Sequence, residues 1–388
     1  MWKRVAAEPE SRIAYLDSIR GIAALLVVAY HCWIAAEARE RLGLTGAPHS
    51  AAALLWQVLA KFFEAGRASV MLFFVLSGYV LARSLAKHRV SYGGYAIKRI
   101  LRIYPAFLVV LAASYLLHRT LGTPPHSPSI LMDRLTNPDL GALEFLKALA
   151  MWGTERSVDL DLVTWSLVHE MRISLIFPLI LWAVRANARA SLALFAAMSV
   201  SCTLALYFTE GRVAFGFVET SVAQSLLVTG YFVVFFAGGA YLSEARDFVS
   251  PRIAAVGTPS KMAAALFMAA VFLVGDHGAK ALGTSLIDYA HGGAAVGVIA
   301  LTMGTPEIRR ILNHRALVWL GRISYSLYLV HLPILYVVTA LGLSAPWVTT
   351  VTVIAASLAA AELGARWIEL PAMRLGKQLA AQVSPRPG

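Results

Sequence analysis

The sequence predicts an all-α polytopic membrane protein, a bundle of about ten transmembrane helices with one or two interfacial amphipathic helices. Of the 388 residues, 58% are hydrophobic and only 14% are charged, whereas about a quarter of the residues in soluble domains are charged. Apolar runs reach the length of a membrane-spanning helix, and the alternation typical of an outer-membrane barrel strand is absent. We therefore expect helices that cross a bilayer.

Ten apolar runs of about 15 to 25 residues fit membrane spans. They lie at about 19–36, 67–86, 103–118, 164–184, 190–208, 222–243, 262–275, 284–303, 317–341 and 347–367. Two amphipathic segments, 51–63 and 142–152, precede the second and fourth spans and predict helices that lie in the membrane interface. We expect residues 1–388 to form a single transmembrane domain with no fused soluble domain.

The first apolar run opens on Arg20 and contains His31, which indicates a membrane span rather than a cleavable signal peptide. Cys32 and Cys202 both lie within apolar runs, where a disulfide is not expected. No HxxxH box or Cys/His cluster is present. The sequence therefore predicts neither a metal site nor a permanently bound cofactor.

Basic residues predict the orientation of the chain. The net charge is +12, and the basic residues lie in short loops, a placement that sets topology and attracts anionic lipid rather than nucleic acid. With a cytoplasmic N-terminus, about 23 of the 34 Lys and Arg residues fall on the cytoplasmic side. We predict a cytoplasmic-membrane protein with both termini inside. Arg99 and Arg102, in the basic loop 87–102, share one helix face, which suits phosphate binding and equally suits a topology signal.

Arg20 and His31 are the most informative pair in the sequence. At about 100° per residue, eleven steps end about 20° from where they began, so both side chains lie on one helix face. Their separation along the axis is about 16 Å, roughly half the hydrocarbon thickness. Ionisable groups at such depth usually face the interior of a bundle. The pair indicates that Arg20 lies near the membrane surface and His31 near the midplane, on the same side of the helix.

Four polar residues from four different spans fall at similar depth near the midplane. Measured from the cytoplasmic side at 1.5 Å per residue, His31 lies at about 18 Å and Ser77 at about 15 Å. Glu170 and His331 both lie at about 21 Å. Each residue alone is compatible with a structural role. Together they predict a buried polar site.

Helical spacing adds further residues to this layer. Ser166 and Glu170 are four residues apart and share a face, whereas His169 points about 100° away. Tyr328 and His331 lie on one stripe of their span, together with Ser324. The spacing therefore places hydroxyl groups beside the carboxylate and the imidazole.

These motifs resemble those of the acyltransferase-3 family of bacterial membrane O-acyltransferases, within the wider transmembrane acyltransferase group. The resemblance covers nearly the whole chain, from 16–21 to 367–371. Its elements are Arg20-x10-His31, Phe73-Phe74-x-x-Ser77-Gly78-Tyr79, Lys98-Arg99-x-x-Arg102-Ile103-Tyr104-Pro105, Trp165-Ser166-Leu167-x-x-Glu170 and Ser324-Tyr325-x-x-Tyr328-Leu329-x-His331. Lysine at 98, tyrosine at 79, and the Met171-Arg172 pair after the carboxylate depart mildly from the family pattern.

The resemblance implies an acyl-CoA co-substrate, usually acetyl-CoA, bound from the cytoplasm of a bacterium, and a hydroxyl acceptor on a carbohydrate or glycolipid. In the family, the residues that correspond to Arg20 and His31 are associated with acyl-CoA handling and transfer. The motifs also make Tyr104, Trp165 and Ser166 candidate substrate-binding residues. The implied modification is O-acetylation of a polysaccharide or glycoconjugate at the inner membrane.

We hypothesise that His31 and Glu170 are catalytic. Histidine has the pKa of a general base, and a carboxylate can orient its ring. An acyl-His31 intermediate is the alternative, and the sequence does not separate the two. His331, Ser77 and Tyr328 are candidate hydrogen-bond donors to the developing oxyanion.

Arg99 and Arg102, with Arg20 deeper in the path, are expected to meet the phosphates of CoA. The competing interpretation is a proton-coupled transporter or flippase that uses the same midplane histidines and glutamate. Against it, no paired Gly/Pro-broken spans occur in two corresponding halves. No sequence feature specifies the acceptor or an oligomeric state.

Overall fold

The computed structural model describes residues 13–38, 50–87, 91–121, 131, 134, 140–210, 219–274, 281–342 and 346–383. This part of the chain consists of helices and turns without a strand, which confirms the all-α prediction. The α-helices are α1 Ala14–Ala35, α2 Ala51–Phe63, α3 Gly66–Lys87, α4 Tyr92–Thr120, α5 Ala142–Leu149, α6 Glu155–Val158, α7 Thr164–Ala186, α8 Ala188–Glu210, α9 Val222–Glu244, α10 Arg246–Ala255, α11 Thr258–Phe272, α12 Ala281–Gly304, α13 Pro306–Leu312, α14 Arg315–Ala340, α15 Pro346–Gly364 and α16 Leu370–Val383.

The helices that could cross a membrane agree with the predicted bundle. Within the described ranges, nine are long and apolar enough, and a tenth span results if one bent pair is counted as a single crossing. That pair is α10 and α11, which meet at 117°. Pro259 lies in the first turn of α11 and fits this break, because proline is favoured there and has no amide hydrogen with which to continue a helix from α10. The predicted span 262–275 is thus the second arm of a broken helix.

Two helices extend well beyond the spans predicted from hydropathy. α4 begins at Tyr92 rather than near 103, because Ser91 caps it by accepting a 3.1 Å hydrogen bond from the Gly94 amide. α15 continues through a π-helical turn, Ala365–Glu369, into α16. α16 packs against α4. Hydropathy misses both extensions because they are amphipathic and lie outside the apolar core.

The two segments predicted to lie in the interface are helical. α2 exposes Trp56 by 65% and Leu55 by 59%, a pattern suited to the headgroup boundary of a bilayer. The predicted segment 142–152 is helical only as far as Leu149. It ends because Met151 adopts a positive φ of 52°, which no helix accommodates.

Glycine pairs bring the central helices unusually close together. A β-carbon at Gly321 of α14 would lie 2.2 Å from the Asp17 carbonyl oxygen of α1. A β-carbon at Gly239 of α9 would lie 2.0 Å from the Val75 carbonyl oxygen of α3. Small residues at such crossings let helix backbones approach in a membrane. These two crossings hold α1 against α14 and α3 against α9, the helices that surround the predicted polar layer.

Candidate functional site

Two buried histidines contact each other at the centre of the bundle. His331 Nε2 lies 3.0 Å from His31 Nδ1, and the side chains are 0% and 8% exposed. Nδ1 of His331 lies 3.2 Å from the Leu327 carbonyl oxygen. The α1–α14 crossing brings the two rings together. The shared depth predicted for His31 and His331 therefore corresponds to a direct contact.

Glu170 has a different partner from the one expected. Ser77 Oγ donates a 3.0 Å hydrogen bond to Glu170 Oε1. We expected Glu170 to orient the ring of His31 or to stabilise its imidazolium. In the described part of the chain, the hydrogen-bonding partner of the His31 ring is His331, through Nδ1, and the role of Glu170 stays a prediction. Four residues at one depth can pair in several ways, and the packing of their helices determines which side chains come into contact. The layer thus contains two pairs, His31–His331 and Ser77–Glu170.

Ser166 and Tyr328 form a third pair beside this layer. Their hydroxyl oxygens lie 2.7 Å apart, and Ser166 Oγ lies 3.1 Å from the Val163 carbonyl oxygen. The Tyr328 hydroxyl lies 3.4 Å from the same carbonyl oxygen, so one of the two hydroxyl groups donates to the other and the second donates to Val163. The Tyr328 ring lies 6.1 Å from that of His331. In this arrangement the hydroxyl hydrogens of both residues bind to the protein. The pair positions α7 against α14, and both of its hydroxyl hydrogens are already used in hydrogen bonds within the protein.

The structure places Trp165 and Tyr104 away from the histidine pair. The Trp165 ring packs against His169 and Phe232, with ring centroids 6.2 Å and 5.8 Å away. Tyr104 donates a 2.6 Å hydrogen bond to the Leu149 carbonyl oxygen at the end of α5. Their predicted contact with substrate stays a prediction.

The three predicted arginines lie near one another but have different partners. Arg99 interacts electrostatically with Glu170, Arg102 and Arg20. Arg20 lies 3.7 Å from Asp17. Among the residues that the structure describes, Arg99 makes no hydrogen bond, whereas Arg102 is held by protein groups. Arg99 is therefore the member of the motif that can bind a ligand without breaking an existing contact.

Arg102 takes part in a buried network that sequence reasoning missed. Its Nη1 lies 2.8 Å from Glu369 Oε2, and its guanidinium lies 5.6 Å from the centre of the Tyr325 ring. Glu369 is 2% exposed and also accepts hydrogen bonds from the Ser326 amide and hydroxyl. The sequence offers no signal for this contact, since 267 residues separate the two partners. Phosphate binding by Arg102 would compete with this carboxylate.

A second missed group is the carboxyl of Asp161, in the turn before α7. It is 0% exposed, and neither oxygen has a hydrogen bond of normal geometry within the described part of the chain, although the Val163 amide lies nearby. Burial raises the pKa of the Asp161 carboxyl well above its usual range. This group is electrostatically coupled to Tyr328. It therefore adds to the margin of the layer a buried carboxyl group whose protonated form is favoured by burial.

Metal-binding potential is low in the described ranges, where no group of three or more His, Cys, Asp and Glu side chains lies close enough to hold an ion. The site offers imidazole, carboxylate, hydroxyl and guanidinium groups. These are the groups of general acid–base and acyl-transfer chemistry.

The fold and the site together define a class: a multi-pass membrane protein that encloses ionisable side chains within its helix bundle. A family model described as an acyltransferase domain, Acyl_transf_3, matches residues 13–364. The chain therefore belongs to the acyltransferase-3 family and is a membrane acyltransferase, as the resemblance of its motifs predicted.

A curated relative is similar to part of the chain. "Protein 2 in picA locus" of Rhizobium radiobacter is 27% identical over 213 residues, which cover 50% of this chain and 95% of that protein. No solved structure matches the chain.

Proposed function

We propose that this protein transfers an acyl group, typically acetyl, from cytoplasmic acyl-CoA to a hydroxyl of a glycan or glycoconjugate. The observation that carries the proposal is the hydrogen-bonded histidine pair, His31 and His331, inside a membrane acyltransferase. Burying ionisable side chains within a membrane costs free energy, and those that are found there are usually functional. Its neighbours, Ser77 and Glu170, supply a carboxylate within the same layer.

The hydrogen bonds assign a protonation pattern to the two rings. Because the Leu327 carbonyl can only accept, Nδ1 of a neutral His331 carries the hydrogen and Nε2 of that ring is a bare acceptor. The hydrogen between the rings then belongs to His31 Nδ1, and His31 Nε2 holds a free lone pair. His331 thus acts as a positioning residue that makes Nε2 of His31 the basic, nucleophilic atom.

The transfer step follows from that lone pair. His31 Nε2 takes the proton from the acceptor hydroxyl as its oxygen attacks the thioester carbonyl carbon. The carbon–sulfur bond breaks, and the departing sulfur receives the proton back from His31, which yields an ester and free CoA. In the acyl-carrier variant, Nε2 itself attacks the thioester carbonyl carbon, the carbon–sulfur bond breaks, and CoA leaves as a thiolate. The acceptor hydroxyl then attacks the acyl-imidazolium, the carbon–nitrogen bond breaks, and the hydroxyl proton passes to the thiolate.

Glu170 and Ser77 act together in this scheme. The Ser77 hydrogen binds to Glu170, so Ser77 presents acceptor lone pairs rather than the donor to an oxyanion that we predicted. Glu170 is our candidate for the carboxylate that stabilises the imidazolium formed on His31 during proton transfer. Glu170 is only partly buried. This partial exposure supports an opening through which substrate reaches the layer.

The donor is proposed to enter from the face where α1 begins, as the orientation inferred from basic residues requires. Arg99 has no hydrogen-bonding partner in the described part of the chain and lies within electrostatic range of Glu170 and Arg20. A guanidinium with free donors binds phosphate well. If Arg99 binds the phosphates of CoA, the thin pantetheine arm of CoA can extend into the bundle and carry the thioester toward His31.

Thiol release from acetyl-CoA by the purified protein tests the proposal. We expect His31→Ala to abolish release, and His331→Ala to lower it by about 100-fold because the tautomer of His31 is no longer fixed. His118→Ala is the matched control, since that ring bonds to the Ser114 carbonyl elsewhere. Full release by a well-folded His31→Ala protein would refute the assignment. Transport of a glycan without thiol release would favour the transporter.

A further inference from the structure

A second group of arginines lies at the end of the bundle where α1 begins. Tyr15 interacts electrostatically with Arg309, Arg246 and Arg83. Tyr79 interacts with Tyr15, Arg83 and Arg246. We call these five residues the Tyr15 cluster. They come from four different helices, α1, α3, α10 and α13.

The donors of this cluster are not satisfied by the described part of the protein. The Nε atoms of Arg83 and Arg309 and the Tyr79 hydroxyl are buried without a hydrogen-bond partner there. Tyr79 itself is 0% exposed. Buried polar groups are nearly always paired, so several buried donors without partners within electrostatic range of one tyrosine indicate a missing acceptor.

The charge of the cluster points to the same conclusion. Of the three arginines, Arg246 alone has a carboxylate partner among the residues that the structure describes, namely Asp247 at 2.9 Å. The Asp247 side chain is 87% exposed, and ion pairs of this kind are weak in water. Three like charges without a buried counter-charge repel one another. An anion bound between them would offset that repulsion.

The Tyr15 cluster is separate from the polar layer. Tyr15 and Arg20 are five residues apart on α1, which places them about 140° apart around the helix. Along the axis, Tyr15 lies about 24 Å from His31. Tyr79 and Arg83 are four residues apart on one face of α3. The cluster therefore faces away from Arg20 and lies nearer the surface than the histidines.

We propose that the Tyr15 cluster is a binding site for a phosphate group. Guanidinium forks and a phenol hydroxyl offer several converging donors, which match the oxygens of a phosphomonoester or diphosphate. Two sources carry this chemistry: the nucleotide end of acyl-CoA, which rests on the proposed function, and the headgroup of an anionic lipid, which does not. Both reach the membrane surface at which the cluster lies.

Binding measurements on the intact protein in detergent test the site. The probes are adenosine 3′,5′-bisphosphate, studied by calorimetry, and phosphatidylglycerol, studied by native mass spectrometry. We expect Arg309→Gln and Arg83→Gln to weaken binding of one probe at least fivefold. Arg310→Gln is the matched control, because Arg310 is the exposed neighbour of Arg309 on the same helix. Tyr79→Phe, which removes one buried hydroxyl, should weaken binding while the fold is retained.

The outcomes distinguish the sources and the two proposals. Loss of nucleotide binding alone supports the CoA source, and loss of lipid binding alone supports the lipid source. Unchanged binding of both probes in folded Arg309→Gln and Arg83→Gln proteins would overturn the site. If the wild-type protein releases no thiol, the acyl-transfer proposal is rejected. If phosphate binding is nevertheless lost in the two variants, the phosphate site is retained.

Discussion

Arginines at the two ends of the bundle differ in how their donors are satisfied. At the end opposite the start of α1, Arg67 makes two 2.7 Å hydrogen bonds to Asp288, and Arg134 lies 2.6 Å from Asp159. Arg172 donates to the Met151 and Trp152 carbonyl oxygens at 2.8 Å and 2.9 Å. These guanidinium groups are bound by the protein and hold its loops and helices together.

At the end where α1 begins, several arginines keep free donors. Arg83 and Arg309 have buried Nε atoms without partners, and Arg99 makes no hydrogen bond within the described residues. The contrast even divides one motif, since Arg102 is bound to Glu369 and Arg99 is not. The lesson is that charge alone does not identify a ligand-binding arginine. Its unsatisfied donors do.

The largest loss of stability is expected when Arg67, at the end of the bundle opposite the start of α1, is replaced. Arg67→Leu leaves Asp288, which is 0% exposed, without its counter-charge, and should lower the free energy of unfolding by about 3–5 kcal/mol. Thermal unfolding in detergent measures the change. The double variant Arg67→Leu/Asp288→Leu removes both charges and should recover most of the loss. Equal losses in the single and double variants would contradict the interpretation.

The two arginines of one motif should respond differently. Arg102→Gln leaves buried Glu369 unpaired and should lower the free energy of unfolding by about 2 kcal/mol, less than for a fully buried pair because Arg102 is 25% exposed. Arg99→Gln should change stability by less than about 0.5 kcal/mol and raise the KM for acyl-CoA by about tenfold. Parallel unfolding and steady-state measurements compare them. Similar stability losses would remove the distinction.

Asp161 allows a test by pH. Its raised pKa means that the folded state holds the proton to higher pH than the unfolded state, whose pKa is about 3.9. The contribution of Asp161 to stability is therefore fully present below about pH 4 and is lost as pH rises through its folded-state pKa. Asp161→Asn should abolish this decline in unfolding temperature. A wild-type curve that rises over the same range would contradict the neutral-carboxyl assignment.

The smallest effect is expected for an exposed ion pair. Arg185 and Glu244 lie 2.9 Å apart, but their side chains are 42% and 34% exposed. Arg185→Gln should change the free energy of unfolding by less than about 1 kcal/mol, and added salt should reduce even that difference. The same detergent unfolding assay, repeated at two salt concentrations, checks it. A loss as large as that of Arg67→Leu would show that exposure does not govern these pairs.

The sequence predicted depth better than pairing. A rise of 1.5 Å per residue placed His31 and His331 in one layer, and the structure brings them into contact. Rotation of each helix about its own axis depends on tertiary packing. We expected Glu170 beside His31, and the structure shows it hydrogen-bonded to Ser77. Glu369 lies within 367–371, the segment at which the family resemblance ends, but its contact with Arg102 depends on the π-helical turn that precedes α16. No local pattern encodes such a contact.

The close approach of α1 and α14 has a consequence for inherited variation. A β-carbon at Gly321 would lie 2.2 Å from the Asp17 carbonyl oxygen, so an added methyl group must wedge the two backbones apart. His331 lies ten residues further along α14, about 15 Å away, where a small tilt becomes a large displacement. Gly321→Ala would then abolish activity by displacing His331 from His31, although no functional side chain is itself replaced.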